Sequence, residues 1–147
     1  PNLSINQKRV SGYLAAIKEA GIKTENDCIV PCDGTDEQIT QQVLTLLKKK
    51  NQPDGLIASV EKLVPPVYFA CRELGIRIPD DIQLIGFTNL NAAPILNPSL
   101  TTVTQPAFEI GKAAATLLFK GIEKSGFDLS RENLVIPSLL QLRDSTR

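Results

Sequence analysis

Short apolar runs, each arriving after a stretch of helical periodicity, constrain this chain more than any other feature. Ser4-Ile5-Asn6-Gln7 has the Ser-x-x-Gln form of a helix-opening capping box, and Val10, Leu14, Ile17 and Ala20 follow at helical spacing up to Gly21. Asp27 to Pro31, with Cys-Ile-Val at its centre, then reads as a short strand. Asp33-Gly34 turns the chain into a second capping box, Thr35-Asp36-Glu37-Gln38, and Ile39, Val43, Leu46 and Leu47 supply the apolar stripe of the helix behind it. The run Gly55-Leu56-Ile57-Ala58-Ser59 is the next strand.

A third cycle repeats the pattern. Pro65 and Pro66 suit a first helical turn, where a missing N–H costs little. Val67, Ala70, Cys71 and Leu74 are expected to face inward, and Gly75 to close the helix. Ile82-Gln83-Leu84-Ile85-Gly86-Phe87 reads as a strand buried on both faces. Helix and strand alternating over short connections imply an α/β fold with a parallel sheet covered by helices. Beyond Asn89 the rhythm changes. Asn89 to Pro98 is irregular, Thr101-Thr102-Val103 is extended, and Pro106 opens a long helix carrying Phe108, Gly111, Ala114, Ala115, Leu118 and Ile122. Asn133 to Arg143 is a final extended segment, where Pro137 is ill suited to a central hydrogen-bonded position.

Composition narrows the function classes. Hydrophobic residues at 42% and charged ones at 22% describe a globular chain. Lys+Arg and Asp+Glu stand at 16 each, so the basic excess that a DNA-gripping surface needs is missing. Lys48-Lys49-Lys50 suits a helix C-terminus, where cations complement the dipole. With no His in the chain, Cys28-x-x-x-Cys32 lacks partners for a zinc site, and the three cysteines read as buried free thiols. No metal and no cofactor are expected. General-base catalysis would need an unusual carboxylate or Lys. Without a Gly-rich phosphate turn either, an enzyme is not expected. No apolar run is long enough for a membrane span, so no membrane partner is expected. A chain that opens on Pro and holds no Met is expected to be part of a longer one.

Several motifs taken in order carry a resemblance. They are Arg9-x-x-Gly12-Tyr13, Gly55-Leu56-Ile57-Ala58, Glu73-Leu74-Gly75-Ile76-x-Ile78-Pro79-x-Asp81, Gly86-Phe87, Ser99-Leu100-Thr101-Thr102-Val103-Thr104-Gln105-Pro106 and Leu142-Arg143-Asp144-Ser145-Thr146. Each is weak alone, but their joint order and spacing resemble the lactose/galactose-repressor (LacI/GalR) family of ligand-sensing transcription factors. The resemblance implies a periplasmic-binding-protein-like type I fold, here mainly its C-terminal, Rossmann-like lobe. Residues 1–99 would form that lobe. Residues 100–147 would comprise a crossing toward a second lobe over Leu100 to Thr104, a helix from Pro106 belonging to that lobe, and a return over Ser138 to Leu142. The resemblance further implies a cytoplasmic regulator that binds a small effector, a sugar or sugar derivative, between its lobes. It would dimerise and contact operator DNA only through an N-terminal domain absent from this chain. Phe108, Leu117, Leu118 and Ile122 would normally pack on a sheet this chain does not supply. A partner chain, or repacking onto the visible lobe, is therefore expected to cover them.

The expected ligand groups are Arg9, Ser59, Glu61, Thr88 and Asn89. Arg9 matches the family's effector-reaching arginine, whose planar fork can hold two ligand oxygens; read from the residues alone, it is an ordinary surface Arg on an amphipathic helix. The other four stand at strand C-termini, where α/β folds place ligands, although each could equally be a cap or turn former. Val60-Glu61 stands where many relatives carry Asn-Asp, and Thr88-Asn89 where they carry Asp-Asp. Gly34 stands where relatives often carry a stacking aromatic. Such departures imply a different effector or a pocket that has lost its effector. A stand-alone periplasmic-type sugar-binding or small-molecule-binding protein is the alternative that shares the fold.

Overall fold

The computed structural model describes residues 4–22, 28–124 and 126–147. The Ser4 side chain of the first expected capping box lies outside the described residues, as does Asp27. Helix α1 spans Ser4–Glu19 and ends at Gly21. Its half-buried stripe is Asn6, Arg9, Val10, Tyr13 and Ile17, while Leu14 turns outward. The stripe is therefore rotated from the purely apolar one that periodicity suggested, and it brings Arg9 and Tyr13 inward. Cys28 to Pro31 is no strand: it lies outside the sheet, with Ile29 and Val30 exposed. An apolar run becomes a strand only where a neighbouring backbone answers its N–H and C=O groups, and no strand of the sheet does so here.

Helix α2 spans Asp36–Leu47. Its capping box forms as expected: Gln38 N–H donates to Thr35 Oγ1 at 3.3 Å, and Thr35 N–H to Gln38 Oε1 at 2.8 Å. Ile39, Val43, Leu44 and Leu47 are buried, so Leu44 takes the inward place expected of Leu46. Lys48 caps the C-terminus. Strand β1 (Gly55–Ala58) leads through a short 3-10 turn at Glu61–Leu63 into α3 (Val64–Leu74). The prolines occupy the first turn of α3, and Gly75 ends it at φ 68°, a left-handed conformation that costs glycine little. Ile76 N–H then reaches back to Cys71 O at 2.9 Å.

Strand β2 (Gln83–Phe87) follows, then β3 (Thr101–Thr104), α4 (Ala107–Glu123) and β4 (Leu139–Gln141). The sheet order is β1-β2-β3-β4, with the first two pairings parallel and β3–β4 antiparallel. Helices α2 and α3 pack together over one face, forming a core with Ile82, Leu84 and Leu100. A Cβ on Gly86 would come within 3.1 Å of Leu100 and 3.3 Å of Val64, so a larger residue there would have to push those side chains aside by a few tenths of an ångström. The two-faced burial expected of β2 is not found. Leu84 and Gly86 are sealed, whereas Ile85 and Phe87 on the other face are only half-buried and Ile57 beside them is exposed.

Helix α4 buries none of its residues. Phe108 is 78% exposed and Ile122 70%, so repacking onto the visible lobe does not occur. The tail behaves differently. Ser145 is fully buried between β2 and β3: its hydroxyl donates to Leu84 O at 2.6 Å and accepts from Thr101 N–H at 2.7 Å, while its own N–H reaches Ser99 O at 2.8 Å. Arg143 donates to Leu100 O at 2.6 Å and to Thr102 Oγ1 at 2.9 Å. The three cysteines are free, but only Cys71 is buried: Cys32 is partly buried and Cys28 exposed.

Candidate functional site

Ser59, Glu61, Thr88 and Asn89 follow the C-terminal tips of β1 and β2, and Arg9 reaches Ser59 from α1. Beyond β1 the chain runs through Ser59 and extended Val60 into the turn that begins at Glu61. Beyond β2 it runs through Thr88, whose Oγ1 accepts from Leu90 N–H at 2.8 Å and so turns the backbone away from the sheet. Glu61 and Thr88 meet across this gap, the Thr88 hydroxyl donating to Glu61 Oε2. A carboxylate therefore stands over position 88, although the residue there is a threonine.

Arg9 arrives from α1. Its guanidinium donates to Ser59 O and lies 4.9 Å from the centre of the Phe87 ring, a cation–π contact. Phe87 was not among the nominated residues. Its signal is faint, because an aromatic at a strand end is more often core than site. The result is one guanidinium, one carboxylate, one hydroxyl and one aromatic face, brought together from α1, the end of β2 and the turns that follow β1 and β2.

Asn89 stands next in the chain but turns toward a different partner. Its amide donates to Gln105 O at 2.7 Å and accepts from Gln105 N–H at 2.8 Å. Gly34 adopts φ 112°, and a Cβ there would sit 2.1 Å from the Gln38 Oε1 that closes the capping box. An aromatic residue there would be strained by the positive φ and would displace the Gln38 side chain from Thr35 N–H. Lys62 Nζ donates to Gly34 O at 2.7 Å and so ties the Glu61 turn to this one.

Beside these tips lies an open cleft of about 260 Å3, lined by Thr88, Asn89, Thr102, Gln141 and Arg143 among others. Its polar wall comes from β3, β4 and the tail. The Arg143 Nη2 group donates to Gln141 Oε1 at 2.6 Å. Sequence reasoning used the tail as a family mark without finding this wall. No periodicity announces that Arg143 and Thr102, 41 residues apart in the chain, meet. What the arrangement can do is hold a small polar molecule: a guanidinium fork and a carboxylate suit vicinal hydroxyls, and an aromatic face suits a sugar's apolar side. Among the described residues, no group of three or more His, Cys, Asp or Glu side chains is placed to hold a metal ion.

Comparison with known proteins identifies the family and the fold. The profile of the periplasmic binding protein-like domain family matches residues 1–146. Catabolite control protein A of Priestia megaterium is 31% identical over 140 residues, which cover 95% of this chain and 42% of that protein. A crystal structure of a LacI family regulatory protein from Chloroflexus aggregans superposes with a TM-score of 0.83 at 28% identity, covering 95% of this chain and 50% of that one. A second, a LacI family transcriptional regulator from Arthrobacter sp. FB24 in complex with lactose, superposes at 0.74 with 26% identity, covering 91% and 48%. The chain thus spans about two fifths of the curated relative and half of each solved chain. These relatives are regulators, which supports that reading over a stand-alone binding protein.

Proposed function

The chain belongs to the periplasmic binding protein-like domain family, in its LacI-type regulator branch, and from that premise we propose that it is the effector-sensing lobe of such a regulator. The observation that carries this reading is the convergence of Arg9, Ser59, Glu61 and Thr88 at the tips of β1 and β2 beside an open polar cleft. In this reading the ligand is a small hydroxyl-bearing molecule, a sugar or sugar derivative. Arg9 donates to its oxygens and Glu61 accepts from its hydroxyls, taking over the accepting role that Thr88 cannot fill alone. Asn89 borders the group through the N–H and lone pair that Gln105 leaves free. The protein binds its effector without transforming it.

Residues 1–99 are the C-terminal lobe in this proposal, and residues 100–147 carry the crossing, the helix and the return toward a second lobe. The exposed apolar side of α4 is covered by that lobe or by a second copy in a homodimer. Operator DNA is contacted by a domain outside these residues, in the cytoplasm. Among the described residues no helix is long and apolar enough to cross a membrane.

A thermal-shift screen of sugars, sugar phosphates and nucleobases on the longer natural protein tests the reading. A ligand at 100 times its Kd adds about 2.7 kcal/mol of stability. Replacing Arg9 by Ala or Glu61 by Gln should then weaken binding by about 1.5–3 kcal/mol, the worth of a charged hydrogen bond. No shift with any compound, or unchanged affinity in both variants, would overturn it. One observation favours a second reading, a pocket without an effector: Arg9 and Glu61 already have partners in Ser59 and Thr88. The screen separates the two.

A further inference from the structure

The β2–β3 ladder pairs Ile85 with Thr101, Gly86 with Thr102 and Phe87 with Val103. Continued in that register, Thr88 would face Thr104 and Asn89 would face Gln105. The backbone ladder stops first, because the Thr88 hydroxyl draws Leu90 N–H into a turn. The next rung is nevertheless made, by a side chain. Asn89 presents a carbonyl oxygen and an N–H side by side, as a peptide group does. It meets both the N–H and the C=O of Gln105, at 2.8 and 2.7 Å.

The place of that rung gives it a consequence. Gln105 is the joint at which β3 becomes α4: Pro106 follows it as the helix N-cap, and Gln105 O also accepts from Ala107 N–H at 2.8 Å. On the other side, Asn89 adjoins Thr88, which is bonded to Glu61 at the tip of β1. Helix α4 otherwise makes little contact with the lobe and buries no residue on it. Among the described residues its direction relative to the sheet therefore follows from its connections rather than from a buried face, and this joint is the connection at its N-terminus.

We infer that Asn89 is a positioning residue, a side-chain latch that fixes the exit from β3 and ties the direction of α4 to the conformation of the Thr88 turn. Asn suits the task because it is at once donor and acceptor. Asp would keep the bond from Gln105 N–H and set a carboxylate against Gln105 C=O. The inference rests on the proposed function only in regarding the Thr88 turn as ligand-facing. The latch itself stands in the unliganded chain.

Two measurements on the whole chain, neither needing a ligand, test it. One is hydrogen exchange at the Gln105 amide, with the Leu84 amide as an internal reference in the core. The other is the distance distribution between spin labels on α4 at Lys112 and on α2 at Gln41, both exposed positions. Asn89→Ala should speed Gln105 exchange about tenfold and broaden the distance distribution, leaving Leu84 exchange unchanged. Asn89→Asp should keep the Gln105 amide protected yet still broaden the distribution. Unchanged Gln105 exchange in Asn89→Ala would overturn the latch. So would acceleration of Leu84 in step with Gln105, or a distribution that neither variant broadens. Should Asn89→Ala fail to fold, Asn89→Asp alone still decides through the distance. A failed effector screen would leave these results standing, and a failed latch would leave effector binding intact.

Discussion

Helices α2 and α4 carry the same kind of sequence signal and meet opposite fates. In α2, Ile39, Val43, Leu44 and Leu47 vanish into the core against α3 and the sheet. In α4, which is longer and richer in Ala and Phe, no side chain is buried. Helical periodicity tells where an apolar stripe lies, not whether a surface awaits it. For α2 that surface is supplied within about fifty residues of sequence; for α4 the described residues supply none. Each large side chain gains roughly 1.5–3 kcal/mol on full burial, so the two helices differ in what they contribute to this fold far more than in what they contain.

Truncating the core and the arm in parallel is the bluntest way to break that contrast. Leu84 is fully buried at the centre of the sheet. Leu84→Ala should destabilise the chain by about 2–5 kcal/mol, read as a lower denaturation midpoint, because a cavity remains where the isobutyl group stood. A loss below about 1 kcal/mol would mean that the α2–α3 side is not the cohesive unit described here.

The boundary between the two regions is not a point in the sequence, and Ser145 sharpens this. It follows α4 in the chain yet sits sealed between β2 and β3, its hydroxyl bridging Leu84 O and Thr101 N–H. Ser145→Ala leaves both backbone groups buried without that partner, which should cost about 1–3 kcal/mol in denaturant unfolding. A neutral result would show that the tail merely rests on the lobe.

Much of the fold was legible because local chemistry and tertiary demand agreed. The Thr35–Gln38 capping box, the prolines opening α3, Gly75 closing it and the strand at Leu84 all stand where the sequence placed them. The misreading at Cys28 to Pro31 has one cause: an isolated apolar run says strand, but only a neighbour makes one. At the site, fold position was readable and partnership was not. Strand tips nominated Ser59, Glu61, Thr88 and Asn89. Nothing in the string could say that Glu61 reaches Thr88, that Arg9 covers Phe87, or that Asn89 turns to Gln105. Those pairings depend on which loops the sheet brings together, and the sheet order is itself a long-range fact.

Alkaline pH probes the same core by a gentler route. Burial, with the nearby Cys71 charge adding to it, pushes the Tyr68 hydroxyl up from an ordinary 10.0 to about 12. Burial alone pushes the Cys71 thiol from 9.0 to about 11. Both groups are neutral when protonated, and both ionise first in the unfolded chain. Their contribution to stability is therefore complete below about pH 9 and is lost as pH rises through 9 to 12. Denaturant midpoints measured from pH 8 to 11 should fall, and Cys71→Ala should flatten the part of that fall between 9 and 11. Equal slopes in the two proteins would mean that the thiol is not held inside.

The smallest expected change belongs to the arm. Phe108 touches no core, so Phe108→Ser should leave the unfolding free energy within about 0.5 kcal/mol of the parent chain, as for surface positions generally. What should change is association. If a second copy covers α4, removing its most exposed aromatic weakens that contact, and sedimentation over a range of concentrations should show a smaller average mass for the variant. A stability loss comparable with that of Leu84→Ala would instead place α4 against the lobe in solution. The two helices would then share one fate after all, and the latch at Asn89 would no longer be what sets the arm's direction.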